Sequence, residues 1–302
     1  MDISAQNLRD RLRGTLIAAA ATPMTASGEV DLDLVSRYLA GLVADGATGL
    51  AVLAHTGRGP YLAPDVRAAV VERAVALGVP VLVGVGGGAD AAGAAEQARV
   101  AADLGADGVL VFPSDGDRVA LHEEVWRAAR LPMIAFDLYT SPCPPGAMRE
   151  ILEHPGVAGL KTALLSDAMG CQRAIALARE AGRLAITGED RMFGPSLLWG
   201  AEAALVGIAA ASVGVTAAVL EAFEGADLRA FVEASGRLDR LARATFTEPM
   251  EGYVQRMLWL AAAEGRVPES HARDPYGPPL PEEERAAVVL AGAAAAPITA
   301  PR

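Results

Sequence analysis

Eight short runs of almost uninterrupted apolar residues, at 15–21, 49–54, 79–85, 108–113, 132–138, 157–162, 184–188 and 204–209, punctuate the first two-thirds of this 302-residue chain. A strand with one solvated face alternates apolar and polar residues, whereas one buried on both faces reads as continuously apolar. Amphipathic, Ala-rich stretches separate the runs, among them 32–44, 64–77, 91–104, 118–129 and 168–181. Their apolar positions recur with helical period. Parallel strands need a crossover between neighbours, most often a helix. Eight such units predict an α/β fold, a (β/α)8 TIM barrel. A recurring phrase agrees: Gly46-Ala-Thr-Gly, Gly105-Ala-Asp-Gly and Gly200-Ala-Glu-Ala each set a glycine a few residues before a strand. There it can end a helix in the left-handed conformation.

The roughly 90 residues after the eighth run carry no strand signal; helical segments are expected near 215–224, 228–245, 249–264 and 281–291. A barrel uses one of these as its last helix. The expected organisation is a barrel over 1–224 with a short N-terminal segment, a C-terminal helical extension over 225–291, and a frayed tail over 292–302.

A 52% apolar composition suits a large core, and a net charge of −11 argues against nucleic acid and anionic membrane surfaces as partners. No apolar run reaches the roughly 18 residues of a membrane helix without Gly or charge, and residues 1–14 lack a signal-type apolar core. Cys143 and Cys171 form neither a disulfide framework nor a metal pair, and His55, His122, His154 and His271 show no zinc-site spacing. A cytoplasmic protein without metal or cofactor, acting on a small molecule, is expected.

Of 26 Lys and Arg residues only one is lysine, and Lys161 lies within the apolar run Val157-Ala-Gly-Leu-Lys-Thr-Ala-Leu164. An ammonium loses its proton readily when desolvated; a guanidinium effectively never does. A neutral amine in an apolar site is the nucleophile of Schiff-base enzymes. A lysine snorkelling from a strand end is the plainer alternative.

Barrel sites are built at the C-terminal ends of the strands. Those positions hold Thr22-Pro23, His55-Thr56-Gly57-Arg58, Gly86-Gly87-Gly88, Phe136-Asp137-Leu138-Tyr139, Lys161-Thr162 and Gly188-Glu189-Asp190. Thr56 could relay a proton or cap a turn. His55 is suited to acid–base work. Asp137 and Tyr139 alternate along one strand and therefore share a side. Arg58 could receive a second anionic group at the site mouth, or be a plain solvated arginine. The three glycines at 86–88 lack the other elements of a phosphate loop.

These segments resemble the dihydrodipicolinate synthase and N-acetylneuraminate lyase family. The resemblance runs from about Gly14 to Ala211 through Gly14-Thr-Leu-Ile-Ala with Thr22-Pro23, the Thr56-Gly57 loop, Gly105-Ala-Asp-Gly with Pro113, Gly159-Leu-Lys161 and Gly188-Glu-Asp190. The C-terminal helices fit as well. It implies a (β/α)8 barrel, a Schiff base between a strand-six lysine and the ketone of pyruvate or another 2-oxo acid, and a homo-oligomer, tetramer or dimer. Lys161 then stands as the Schiff-base lysine. Thr56 matches the second threonine of the family's Gly-Thr-Thr-Gly-Glu loop, which binds the carboxylate and belongs to the proton relay. Thr22, Gly57, Arg58, Phe136, Gly188 and Asp190 become candidates for substrate binding.

The departures are specific. The loop reads Ala54-His55-Thr56-Gly57-Arg58, the strand-five tyrosine that shuttles protons in the family is Phe136, and the relay tyrosine after the strand-four proline falls at Ser114 or Asp115. The arginine that holds the aspartate semialdehyde carboxylate falls near Ser141. The expected function is therefore a Schiff-base lyase or aldolase with an altered relay through His55, Thr56 and either Tyr139 or Asp137, and not dihydrodipicolinate synthesis itself. The alternatives are a degenerate barrel that binds or senses a small molecule, and a metal-assisted aldolase using Glu189, Asp190 and Asp137.

Overall fold

The computed structural model describes residues 1–296. Eight parallel strands close into a barrel in sequence order: β1 (Leu16–Ala19), β2 (Gly49–Val52), β3 (Val81–Val85), β4 (Gly108–Val111), β5 (Met133–Leu138), β6 (Val157–Ala163), β7 (Leu184–Thr187) and β8 (Ala203–Val206). β8 pairs back onto β1, Leu16 opposite Ala204, so no edge strand remains. Every strand residue is buried, as the uninterrupted apolar runs require. The eighth run ends earlier than expected, because residues 207–210 coil into a 3-10 turn. Gly46, Gly105 and Gly200 all have positive φ at helix ends, as their shared phrase implies.

The core has two shells. Ile17, Ala51, Leu82, Leu110, Ile134 and Ile186 fill the barrel interior, joined by Ala5, Leu8 and Leu12 of the N-terminal helix Ile3–Leu12. That helix plugs the N-terminal end of the barrel, where only a short segment was expected. Outward residues such as Val52, Val83, Val111 and Leu160 meet the surrounding helices. The same outer shell runs on into the C-terminal helices through Phe231, Leu241, Val254, Trp259 and Val288. The last helix, Glu282–Ala295, crosses residue 292, where fraying was expected to begin; the rest of that expected tail, 297–302, lies outside the described residues. No helix among the described residues is long and apolar enough to cross a membrane.

One irregularity positions the site. Pairing between β5 and β6 steps from Met133 opposite Val157 to Ile134 opposite Gly159, so β6 carries one extra residue. Ala158 belongs to the inner shell and Leu160 to the outer. Strict alternation from Ala158 would turn Leu160 inward and Lys161 outward; the bulge reverses that parity. A Cβ on Gly159 would lie 2.7 Å from the Leu184 carbonyl oxygen, on the neighbouring backbone. Gly159→Ala should therefore destabilise the barrel by about 1–3 kcal/mol, in the range of overpacked cores. Urea unfolding of the variant beside the parent measures it, and an unchanged midpoint would show that the bulge accommodates a side chain.

Candidate active site

Lys161 is buried inside the C-terminal end of the barrel, opposite Phe136 in the β5–β6 register. Its Nζ stands 4.2 Å from the Phe136 ring centroid. Gly188 makes room for it: a Cβ there would lie 2.5 Å from Lys161 Cε. Burial pushes the Lys161 pKa down, against the pull of Asp190 and Glu189. Burial also pushes Asp190 up, although its carboxylate accepts a 2.7 Å hydrogen bond from the Ile208 amide. Both shifts favour the uncharged forms.

The amine faces an inner cavity of about 20 Å³ lined by His55, Thr56, Phe136, Tyr139, Asp190 and Tyr253, among others. His55 and Leu138 also line a larger cavity of about 670 Å³, which extends over Gly87, Gly88, Phe112 and Ser114. The barrel mouth thus narrows from a wider vestibule to the lysine, with His55 at the boundary.

Three residues of this site, Phe246, Glu251 and Tyr253, lie beyond the barrel and were not anticipated. The segment expected as one helix over 249–264 starts with a 3-10 turn, Met250–Gly252, and continues as the helix Tyr253–Ala263. It carries Glu251 and Tyr253 over the barrel mouth. The Tyr253 hydroxyl lies 3.0 Å from Thr56 Oγ1 and 3.2 Å from His55 Nδ1. His55 Nε2 lies 3.3 Å from Glu251 Oε1, which also accepts a hydrogen bond from the Tyr139 hydroxyl. Phe246 stacks on Tyr253 at 4.7 Å between ring centroids. Gly207 leaves space for the assembly, since a Cβ there would meet Tyr253, Thr56 and Phe246 within 3.3 Å. The only sequence signal for Tyr253 was a tyrosine near the start of an amphipathic segment, and 197 residues separate it from Thr56.

Four expected site residues do not reach the lysine cavity: Thr22, Gly57, Arg58 and Asp137. Thr22 is buried behind the Thr56 loop and donates 2.7 Å to the Gly57 carbonyl. Gly57 shapes that loop by donating its N–H to the Ala54 carbonyl at 3.0 Å. Arg58 lines the vestibule but is not available as a free cation. Its guanidinium donates to both Asp274 oxygens, at 2.7 Å in the shortest bond, to Glu251 Oε2 at 3.0 Å and to the Glu251 carbonyl at 3.1 Å. Asp137 and Tyr139 both border a separate cavity of about 660 Å³ beside Cys143 and Met148. Only Tyr139 also reaches the lysine. Alternation turns Phe136 and Leu138 inward and Asp137 outward, where its carboxylate accepts from the Cys143 amide at 2.8 Å. The chain then turns, Ser141 N bonding Leu138 O at 2.9 Å, and this releases Tyr139 from the alternation.

The acidic set for a metal-assisted aldolase does not converge either. Glu189 turns away to clasp the end of β6, accepting from the Leu164 and Leu165 amides at 2.6 and 2.8 Å, while Asp137 faces the outer cavity. Lys161, Thr56, His55, Phe136, Tyr139, Gly188 and Asp190 are brought together as the sequence suggested.

Comparison with known proteins agrees with this architecture. Over 135 residues the chain is 36% identical to a 4-hydroxy-tetrahydrodipicolinate synthase of Synechococcus sp. (strain WH7803), covering 41% of this chain and 44% of that protein. Over 251 residues it is 29% identical to the enzyme of that name from Bifidobacterium animalis subsp. lactis (strain AD011), covering 76% of each. The chain spans about half the length of the curated relatives it matches first, 44%, 57% and 54%. Among solved structures, N-acetylneuraminate lyase from Mycoplasma synoviae superposes with a TM-score of 0.78 at 19% identity, over 93% of this chain and 97% of that one. A prophage protein of the dihydrodipicolinic acid synthase family from E. coli K12, solved with pyruvate, gives 0.82 at 21% identity, over 91% and 96%. At such identities the likeness speaks for the fold. The dihydrodipicolinate synthetase family model matches residues 12–293, and the chain belongs to that family.

Proposed function

We propose that this chain is a Schiff-base-forming lyase or aldolase acting on a 2-oxo acid or related carbonyl compound. The observation that carries the reading is Lys161: the one lysine of the chain, turned inward by a bulge and buried against the Phe136 ring. Burial favours the neutral amine, whose lone pair can attack a carbonyl carbon. Loss of water from the adduct leaves an iminium. That iminium draws the electron pair of an adjacent breaking bond, which allows C–C cleavage, condensation or dehydration.

Dihydrodipicolinate synthesis itself is not the reaction proposed, even though relatives carry that name. Phe136 has no proton to shuttle, and Ser141 stands where the synthases are expected to place their carboxylate-binding arginine. A cytoplasmic homo-oligomer belongs to the same proposal and rests on the family likeness.

Borohydride trapping with pyruvate and a panel of 2-oxo acids, read by intact mass, tests the reading. With a single lysine, an adduct beyond the N-terminal amine lies on Lys161, and it should vanish in Lys161→Ala. Absence of any adduct would sink the imine chemistry and leave a small-molecule binding protein as the better account.

A further inference from the structure

We propose that Tyr253 is the proton-transferring residue of the Lys161 site, working with His55 and Glu251 as a Tyr–His–Glu relay; the assignment rests on the Schiff-base reading above. Counting donors sets the direction of the relay. Glu251 accepts from Arg58, Tyr139 and His55, so its oxygens are occupied as a carboxylate. Burial alone would raise its pKa, but these partners together hold it well below the usual range. An ionised carboxylate only accepts, so His55 Nε2 carries a proton, and in the neutral imidazole Nδ1 is then the acceptor. The Tyr253 hydroxyl then donates to His55 Nδ1, and Thr56 donates to Tyr253. Glu251 holds the imidazole in the tautomer that can take a proton from Tyr253, the arrangement that activates nucleophiles in acyl-transfer triads.

Asp190 also lines the cavity, but its Oδ1 is engaged by the Ile208 amide at 2.7 Å, and three further groups there are less suited. Phe136 is a hydrocarbon, and Tyr139 directs its proton at Glu251 rather than at the lysine. Thr56 is itself bound to Tyr253. Tyr253 is buried, lines the same cavity as Lys161, and is fixed by the Phe246 stack. Burial raises its pKa, so the phenol rests neutral and transfers its proton only in concert with His55.

In the cleavage direction the step balances without any further reagent. The hydroxyl proton of the imine-bound substrate passes to Tyr253 Oη as the phenol's own proton passes to His55 Nδ1. The O–H electron pair becomes the new C=O π bond, the C–C bond breaks, and its pair moves into the iminium to give an enamine. The return transfer, His55 to Tyr253 to the enamine carbon, restores both residues and leaves an iminium, which water hydrolyses to release the product and the Lys161 amine. Glu251 stabilises the intervening imidazolium. Tyr253 is the catalytic residue in this scheme; His55 and Glu251 act through it.

The test separates imine formation from proton transfer. Pyruvate is incubated with the enzyme in D2O, borohydride trapping reads the imine, and proton NMR reads methyl exchange through the enamine. Tyr253→Phe keeps the ring and its stack, so it should fold and trap as the parent does, while exchange falls on the order of 10²-fold or more, the usual share of a general acid–base group. His55→Ala should lose exchange likewise and regain part of it with added imidazole, which a merely structural histidine would not. Parent-like exchange in Tyr253→Phe, with trapping intact, overturns the relay and leaves the Schiff-base reading standing. Loss of trapping together with exchange in a folded Tyr253→Phe would overturn it in favour of a role in holding the amine. A parent enzyme that traps no 2-oxo acid removes both.

Discussion

Lys161→Arg and Lys161→Met are expected to abolish imine trapping and to lower turnover of any 2-oxo acid substrate on the order of 10⁴-fold or more, as removal of a nucleophile does elsewhere. The two substitutions fail for different reasons. Arginine preserves the positive charge but cannot surrender its proton to become a nucleophile. Methionine preserves much of the length and the apolar contact with Phe136 but has no amine. Retained turnover in either variant would separate catalysis from the lysine. The parent should also show a characteristic pH dependence. The neutral amine is the reactive form, and its fraction rises with pH through the lysine pKa. Burial lowers that value, so trapping should rise in a range below the roughly 10.4 of a solvated lysine. A rise centred at the ordinary value would mean that water reaches Nζ freely.

The second large effect concerns stability. Arg58→Met is expected to destabilise the fold by about 3–5 kcal/mol, the range for breaking one partner out of a buried ion pair. The side chains of Arg58 and Asp274 are 4% and 0% exposed, so the substitution strands a carboxylate without solvent or counter-charge. It also frees Glu251 from one of the groups that hold it against His55. Attraction between the charges is not expected to be a net gain over an apolar contact, since desolvating both ions offsets it. Arg58→Met combined with Asp274→Leu should therefore recover much of the loss. Urea unfolding of the single and double variants reads this directly. A single variant within about 0.5 kcal/mol of the parent, as surface changes are, would show the pair to be solvated. The double variant need not recover activity, because Glu251 remains without its arginine.

Arg58 also shows how far local reading reaches. Its place after the second strand predicted the barrel mouth correctly, and it lines the vestibule. Its electrostatic role was misread because the compensating Asp274 lies 216 residues away. Asp137 was misplaced for a nearer reason: alternation along β5 turns it away from the lysine, and the turn after Leu138 breaks the alternation that would have tied it to Tyr139. Glu189 and Asp190 are neighbours with opposite roles, one clasping the end of β6 and the other bordering the amine.

The barrel and its lysine were determined by the sequence alone. Apolar runs, helical periodicity and helix-ending glycines are local properties with fixed periods, so eight repeats of them leave few alternatives to a closed parallel sheet. A lone lysine inside such a run is legible for the same reason, since the conflict between its charge and its surroundings is local. Tertiary structure decided the rest. Strand periodicity alone would have turned Lys161 outward, and only the β5–β6 pairing shows the extra residue that turns it in. The Tyr253–His55–Glu251 assembly forms because the C-terminal segment returns across the barrel mouth, and Glu251 and Tyr253 lie 196 and 198 positions from His55 in the chain. No local pattern encodes that meeting; it follows from how the last helices bury their apolar faces against the barrel.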